Sequence, residues 1–362
     1  MPAKIAPQPG VMEIALYVGG ESRIEGRADV LKLSSNENPR GPSPAAVEAA
    51  AAAVARMHRY PSTDHADLRA AIGEVHGLDP DRIICGVGSD EVLQMLCHAY
   101  AGEGTEVVIT AHGFAMYRII AHMVGATPVE VPETDRRVDP DLILAAITDR
   151  TRIVFIANPG NPTGTRLSDA DLARLAAGIP PTCLLVIDSA YAEFAAGYDG
   201  GASLVEAHEN VVMTRTFSKL YGLGGLRVGW GYARRDVIDV LNRVRQPFNL
   251  SLPAIDGALA AVRDRAFAEA CIRENAEQRA RLSGGLRQLG IACDDSEANF
   301  VLARFADAAE AEAADAHLKS AGIIVRRPVS YGFPEALRIT VGRPEDMTRV
   351  LEALAAFREV AA

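Results

Sequence analysis

Lysine is scarce in this 362-residue chain. It occurs only at 4, 32, 219 and 319, so 33 of the 37 basic residues are arginine, and a lysine inside an unusual motif carries information. Positive charge is also in deficit, with 37 Lys and Arg against 47 Asp and Glu and a net charge of −10. That excludes the broad basic footprint of non-specific nucleic-acid or anionic-membrane binding, while leaving room for a local basic site. The five cysteines (85, 97, 183, 271, 293) are odd in number and show no CxxC spacing. A disulfide framework or a zinc site is therefore not expected, and a reducing, cytoplasmic setting is. No apolar run approaches the ~20 residues that span a bilayer. The first twenty residues hold one lysine, early prolines and no apolar core of the signal-peptide kind.

Apolar residues make up 49% of the chain, enough for a substantial core. The length suits two domains or one large α/β domain. Residues 1–35 read as an arm. Helical patterns over 43–57 and Asp67–His76 follow. Strand-like segments then recur at Ile83–Val87, Glu106–Thr110, Pro128–Val131, Arg152–Ala157, Cys183–Asp188, Val211–Thr214 and Val228–Tyr232, with helical patterns between most of them. Such alternation predicts an α/β fold with a mostly parallel sheet covered by helices on both faces. Pro247 and Pro253 break the pattern, so a large domain over 36–250 and a smaller α+β domain over 251–362 are expected. A cleft between two such units is a usual ligand site.

Four segments carry chemistry. The first runs Thr214-Arg-Thr-Phe-Ser-Lys219-Leu-Tyr-Gly-Leu-Gly-Gly-Leu-Arg227, where Thr216, Ser218 and Arg227 surround one amine. A neighbouring cation lowers a lysine's pKa and makes it a nucleophile toward carbonyls. The second, Asn158-Pro-Gly-Asn161-Pro-Thr-Gly164, follows a strand at the end where α/β sheets bind ligands. In the third, Asp188 closes an apolar run, with Tyr191 three residues on. A carboxylate there is costly without a partner. The fourth, Gly86-Val-Gly88-Ser89-Asp90-Glu91, lies between a strand and a helix, where free amides attract anions. Each has an ordinary alternative: a surface lysine, a turn, a helix cap, a capped βα loop. Together they offer a phosphate site, a carboxylate, a carboxamide and an amine, which match the groups of pyridoxal 5′-phosphate.

With NPGNPTG, DSAYAEF, TFSKLYGLGGLRVGW and the late LRITVG in this order, nearly the whole chain resembles the fold-type I pyridoxal-phosphate aminotransferases. LSSNENPRGPSP, Arg59-Tyr60-Pro61 and GSDE resemble the branch whose amino donor is a phosphorylated amino alcohol and whose acceptor is a 2-oxo acid. The resemblance implies Lys219 as the Schiff-base lysine, Asp188 on the pyridine nitrogen, and Asn161 and Tyr191 on the phenolic oxygen. It implies Ser89, Asp90, Thr216, Ser218 and Arg227 at the cofactor phosphate, and Phe114 as the ring stacked on the cofactor. Tyr60 would reach the cofactor of a second subunit, which implies a homodimer. Tyr17, Asn36, Arg326 and Arg338 would bind substrate, and no metal is implied. Ser189 stands where the family usually has glutamate, Phe114 where it often has tyrosine, and Ala111-His112 where prolines are common. His112 is expected to have no role. An aromatic amino-acid aminotransferase or a phospho-amino-acid decarboxylase on the same scaffold remain alternatives. So does a binding module without chemistry, against which Lys219, Asp188 and Arg227 together speak.

Overall fold

The computed structural model describes residues 5–17 and 19–361. Strand β1 (Leu31–Lys32) lies at the end of the expected arm, followed by helices α1 (Pro44–Val54) and α2 (Ala66–His76) and strand β2 (Ile83–Gly86). Then follow α3 (Gly88–Tyr100), β3 (Glu106–Thr110), α4 (Ala115–Met123), β4 (Thr127–Val131), α5 (Pro140–Ala145) and β5 (Thr151–Ala157). Next are α6 (Asp169–Gly178), β6 (Leu184–Asp188), α7 (Ala202–Ala207), β7 (Val211–Thr216), β8 (Gly229–Tyr232), α8 (Arg235–Val244) and α9 (Leu252–Arg263). The chain ends with α10 (Arg265–Gln288), β9 (Ala292–Cys293), β10 (Phe300–Arg304), α11 (Ala308–Ser320), β11 (Ile323–Ile324), β12 (Ala336–Thr340) and α12 (Pro344–Ala361).

The seven-stranded sheet has the order β2-β8-β7-β6-β5-β3-β4. Its pairings are parallel except where β8 runs antiparallel between β2 and β7. Strands β3, β6 and β7 are buried along their whole length, as continuous apolar runs covered on both faces require. Alternate side chains then feed two cores. Val154, Ile156, Leu185, Ile187 and Met213 pack with residues of α2, α6 and α9. Ile153, Phe155, Val186 and Val212 pack with α3, α4 and α8.

A second, antiparallel sheet (β12-β10-β9) packs with α10, α11 and α12 around Val301, Leu318, Leu337, Ile339 and Leu354. Strand β1 pairs in parallel with β11, and Leu33 joins this same core. The end of the expected arm is thus tied to the C-terminal unit. That tie carries Ser34, Ser35 and Asn36 into the space between the two units. Helix α9 was not anticipated; it packs against α1 and α2. Among the described residues no helix is long and apolar enough to cross a membrane.

Candidate active site

The carboxyl ends of β5, β6 and β7 and the first turn of α3 open on one cavity of about 180 Å³, walled on the other side by β12 and the segment after β1. This is where open α/β sheets place ligands. Asp188 is the last residue of β6, and Thr216 the last of β7. Lys219 follows in the loop after β7, and its Nζ lies 3.3 Å from the carbonyl of Ser35 and 5.7 Å from the centre of the Tyr191 ring. Burial, then Arg338, pull the Lys219 amine down to about 8. About a tenth of it is therefore uncharged at pH 7, far more than of an ordinary lysine, and that is the form a nucleophile or general base needs.

Asp188 is held by three donors: the Tyr117 hydroxyl at 2.8 Å, the Thr214 hydroxyl at 3.4 Å and the backbone N–H of Ala190. Burial outweighs them, and the carboxyl is pushed up to about 6, with Asp90 adding to the rise. A cationic ring nitrogen placed against it would offset that burial and keep the carboxylate charged. Tyr117 was not singled out in the sequence. It is fully buried, stacks on Phe155 at 4.9 Å and meets the edge of Phe114 at 5.8 Å. One side chain therefore orients both the carboxylate and the expected stacking ring. Its spacing of three from Phe114, one helical turn, was the available signal.

The turn at Gly88 begins α3, so Ser89 and Asp90 present first-turn backbone amides to the cavity. Gly88 has φ +76, and a Cβ on Gly229 would lie 2.1 Å from the Ser89 nitrogen. Only glycine lets β8 pass this close behind the turn. Arg227 donates to the Ser218 hydroxyl (3.3 Å) and pairs with Asp90 (3.0 Å), gathering these residues at one end of the cavity. Thr216 receives the backbone N–H of Ser218.

Arg338 is buried and anchored on two sides: it donates to Asn161 Oδ1 at 2.5 Å and to the Ser34 carbonyl at 2.8 Å. Its Nε has no hydrogen-bond partner, and burial pulls the guanidinium below the usual arginine value. Among the described residues no carboxylate forms an ion pair with it. A buried guanidinium in this state is a seat for an anion. Because Arg338 occupies Asn161 Oδ1, the Asn161 N–H2 is the group left to donate. Asn36, φ 55, donates to the Tyr191 hydroxyl at 3.0 Å and accepts from Thr340, so it also orients Tyr191. Burial raises the Tyr191 pKa, with Arg338 and the Asn36 hydrogen bond opposing it.

Tyr17 and Arg326 complete the wall, Arg326 donating to the Gly19 carbonyl at 2.7 Å. Fourteen of the fifteen anticipated residues thus line one cavity. Tyr60 does not. It is 82% exposed and stacks on Phe248 at 4.5 Å. Two residues at or behind the wall were given no role in the sequence. His112, expected to be idle, meets the Tyr331 carbonyl at 2.6 Å and packs on Phe333. Tyr331, in a loop without periodicity, lines the cavity and was missed. The Ser189 departure faces away: its hydroxyl donates to the Gly200 carbonyl at 2.6 Å.

The donor set fits pyridoxal 5′-phosphate. It offers amides, hydroxyls and an arginine for the phosphate, Asp188 for the ring nitrogen, Asn161 and Tyr191 for the phenolic oxygen, and Lys219 for the aldehyde. Among the described residues no cluster of three or more His, Cys, Asp or Glu is placed to hold a metal.

The model of the aminotransferase class I and II family matches residues 28–354, and the chain belongs to that family. Within it, the chain is 68% identical to the histidinol-phosphate aminotransferase of Roseobacter denitrificans over 357 residues, and 66% identical to that of a Jannaschia species, covering 99% of both partners in each case. Among solved structures it resembles the histidinol-phosphate aminotransferase of Sinorhizobium meliloti in complex with pyridoxal 5′-phosphate. The TM-score is 0.91 at 27% identity, covering 99% of this chain and 100% of that one. The fold is that of the fold-type I aminotransferases.

Proposed function

We infer that the chain is a pyridoxal-phosphate-dependent aminotransferase that exchanges an amino group between L-histidinol phosphate and 2-oxoglutarate, the transamination of histidine biosynthesis. One observation carries the reading: a single cavity holds a buried amine of lowered pKa, Lys219, together with two arginines, Arg326 and Arg338. An enzyme that takes a phosphorylated donor and a dicarboxylic acceptor in turn needs an amine for chemistry and cations for two anions.

When bound, the cofactor would supply an electrophilic aldehyde and an electron-accepting ring. Lys219 would take a proton from the substrate α-carbon on its uncharged Nζ and later return it, acting as base and then as acid. Its fall to about 8 makes the uncharged amine accessible near neutral pH. Asp188, steadied by Tyr117, would hold the proton on the ring nitrogen. Asn161 and Tyr191 would donate to the phenolic oxygen. Ser89, Asp90, Thr216, Ser218 and Arg227 would hold the cofactor phosphate, and Phe114 would cover the ring. Arg326, Arg338, Tyr17 and Asn36 bind the two substrates in turn, which gives ping-pong kinetics.

We also propose a homodimer in which Tyr60 reaches the site of the second copy, supported by its exposure beside Phe248 outside its own cavity. A division into arm (1–35), large domain (36–250) and small domain (251–362) is proposed with α9 bridging the last two, since it packs on α1 and α2. The cysteines are all unpaired, in keeping with a cytoplasmic setting.

Turnover of histidinol phosphate against an aromatic amino acid, with 2-oxoglutarate as acceptor, tests the reading. Wild type is expected to prefer the phosphorylated donor, and Arg326→Ala to lose about ten-fold or more in kcat/KM for it. Equal use of phosphorylated and unphosphorylated donors, or an unaffected Arg326→Ala, would remove the case for this substrate.

A further inference from the structure

The active cavity adjoins a second one of about 280 Å³ beneath the arm and α4, and the two share Tyr17, Phe114, Arg326 and Tyr331. Tyr331 is the one of these four without a role so far. It ends a short 3-10 turn, Val329–Tyr331, and is 6% exposed. Leu302, Phe333 and Ala336 pack around it. Its phenol lies within electrostatic reach of Tyr17, Arg338, Tyr191 and Arg326, and burial pushes its pKa up to about 12. It is therefore a neutral hydroxyl donor beside two guanidinium groups.

A carboxylate presents two oxygens in one plane, and a guanidinium fork satisfies both. A phosphate monoester presents three terminal oxygens in a cone. A planar fork leaves at least one of them to another donor. A neutral phenol fills that need without adding charge, and a planar carboxylate already held by a fork has no third oxygen for it to serve.

The main chain of Tyr331 is held from across the cleft. His112 Nδ1 lies 2.6 Å from the Tyr331 carbonyl, which can only accept, so the ring is the donor. The imidazole also packs on Phe333 with centroids 4.2 Å apart. Glu133 lies within electrostatic reach of His112, its carboxyl raised by burial and drawn back by His112 and by a hydrogen bond from Thr110. His112 belongs to the same loop as Phe114, two residues on. One loop thus carries the ring expected over the cofactor and fixes the far wall of the substrate site.

We propose that Tyr331 is a specificity-determining residue for the amino donor, its phenol serving the third terminal oxygen that a phosphate monoester has and a carboxylate lacks, and that His112 is the positioning residue that holds it there. The proposal rests on the histidinol-phosphate reading above.

The test uses cofactor-loaded wild type, Tyr331→Phe, His112→Ala and His112→Gln, with KM and kcat measured separately for histidinol phosphate and for 2-oxoglutarate. In Tyr331→Phe, KM for histidinol phosphate is expected to rise about ten-fold more than KM for 2-oxoglutarate. His112→Ala should move the same ratio in the same direction with a smaller effect on kcat. His112→Gln, which keeps an N–H donor, should recover part of it. Equal changes in both KM values in Tyr331→Phe, or no change, would overturn the role of Tyr331. A His112→Ala indistinguishable from wild type would overturn the positioning role. Should Tyr331→Phe fail to fold, His112→Ala removes no side chain that lines the active cavity and reads the same ratio. A wild type that ignores histidinol phosphate would sink the parent reading, an outcome distinct from a variant failure in an active enzyme.

Discussion

Lys219 illustrates how much one residue's surroundings decide. Its pKa is lowered to about 8, chiefly by burial and then by Arg338. In the cofactor-free chain the folded state therefore holds this proton less tightly than the unfolded state. Stability contributed by this group rises as pH climbs from about 8 toward the unfolded lysine value, and below about 8 a constant penalty remains. Lys219→Met should consequently abolish transamination yet raise the melting temperature of the cofactor-free protein at pH 7. The stabilisation is on the order of 3 kcal/mol at most, before the loss of the Ser35 contact is subtracted. A melting temperature that falls would show that the amine is better accommodated than its burial implies. Tyr117 acts in the opposite sense. Its hydrogen bond favours the charged form of Asp188, so Tyr117→Phe should raise that pKa further above about 6. Cofactor titrations should then show weaker binding, with acid-side release beginning at a higher pH than in wild type. Identical pH profiles would mean that Thr214 and the Ala190 amide suffice.

These side chains were not equally legible. Lys219, Asp188, Asn161 and Arg227 stand in motifs whose chemistry is visible in one dimension, because each sits at a strand end or in a glycine-rich loop. Tyr117 and Tyr331 read as ordinary core or loop aromatics. Their roles come from what folding brings near them: Asp188 is 71 positions from Tyr117, and His112 is 219 positions from Tyr331.

At the scale of elements, the close pass of β8 behind the first turn of α3 shapes the phosphate end of the cavity. Gly229→Ala would put a methyl group 2.1 Å from the Ser89 nitrogen. The turn must shift, and overpacking of this kind costs roughly 1–3 kcal/mol. Cofactor affinity should fall more than stability does, as titration and thermal melts of the same preparation would show. A lower melting temperature with unchanged affinity would place the strain elsewhere. The periodicity of the central strands was readable because each is an apolar run bounded by turn residues. The reversed direction of β8 was not, since a four-residue strand of Gly-Trp-Gly-Tyr carries no sign of direction. Helix α7 is only six residues long, and β1 and β9 only two, too short for any period to register.

At the scale of the whole molecule, the site is assembled from distant parts: the segment after β1, the ends of β5 to β7, and β12. The proposed second copy adds Tyr60. Mixing two inactive variants, Lys219→Ala and Tyr60→Ala, under conditions that exchange subunits tests this directly. A shared site predicts recovery of up to roughly a quarter of wild-type activity, because half the sites in the mixed dimers regain both residues. No recovery despite verified exchange would confine each site to one chain.

The most direct measurement of the central claim is the visible absorption of the cofactor-loaded protein before and after L-histidinol phosphate is added, with an aromatic amino acid run in parallel. The account predicts a visible band that depends on Lys219 and is discharged by histidinol phosphate in preference to the aromatic amino acid, then restored by 2-oxoglutarate. A band discharged only by the aromatic amino acid, or no band with added cofactor, would contradict it.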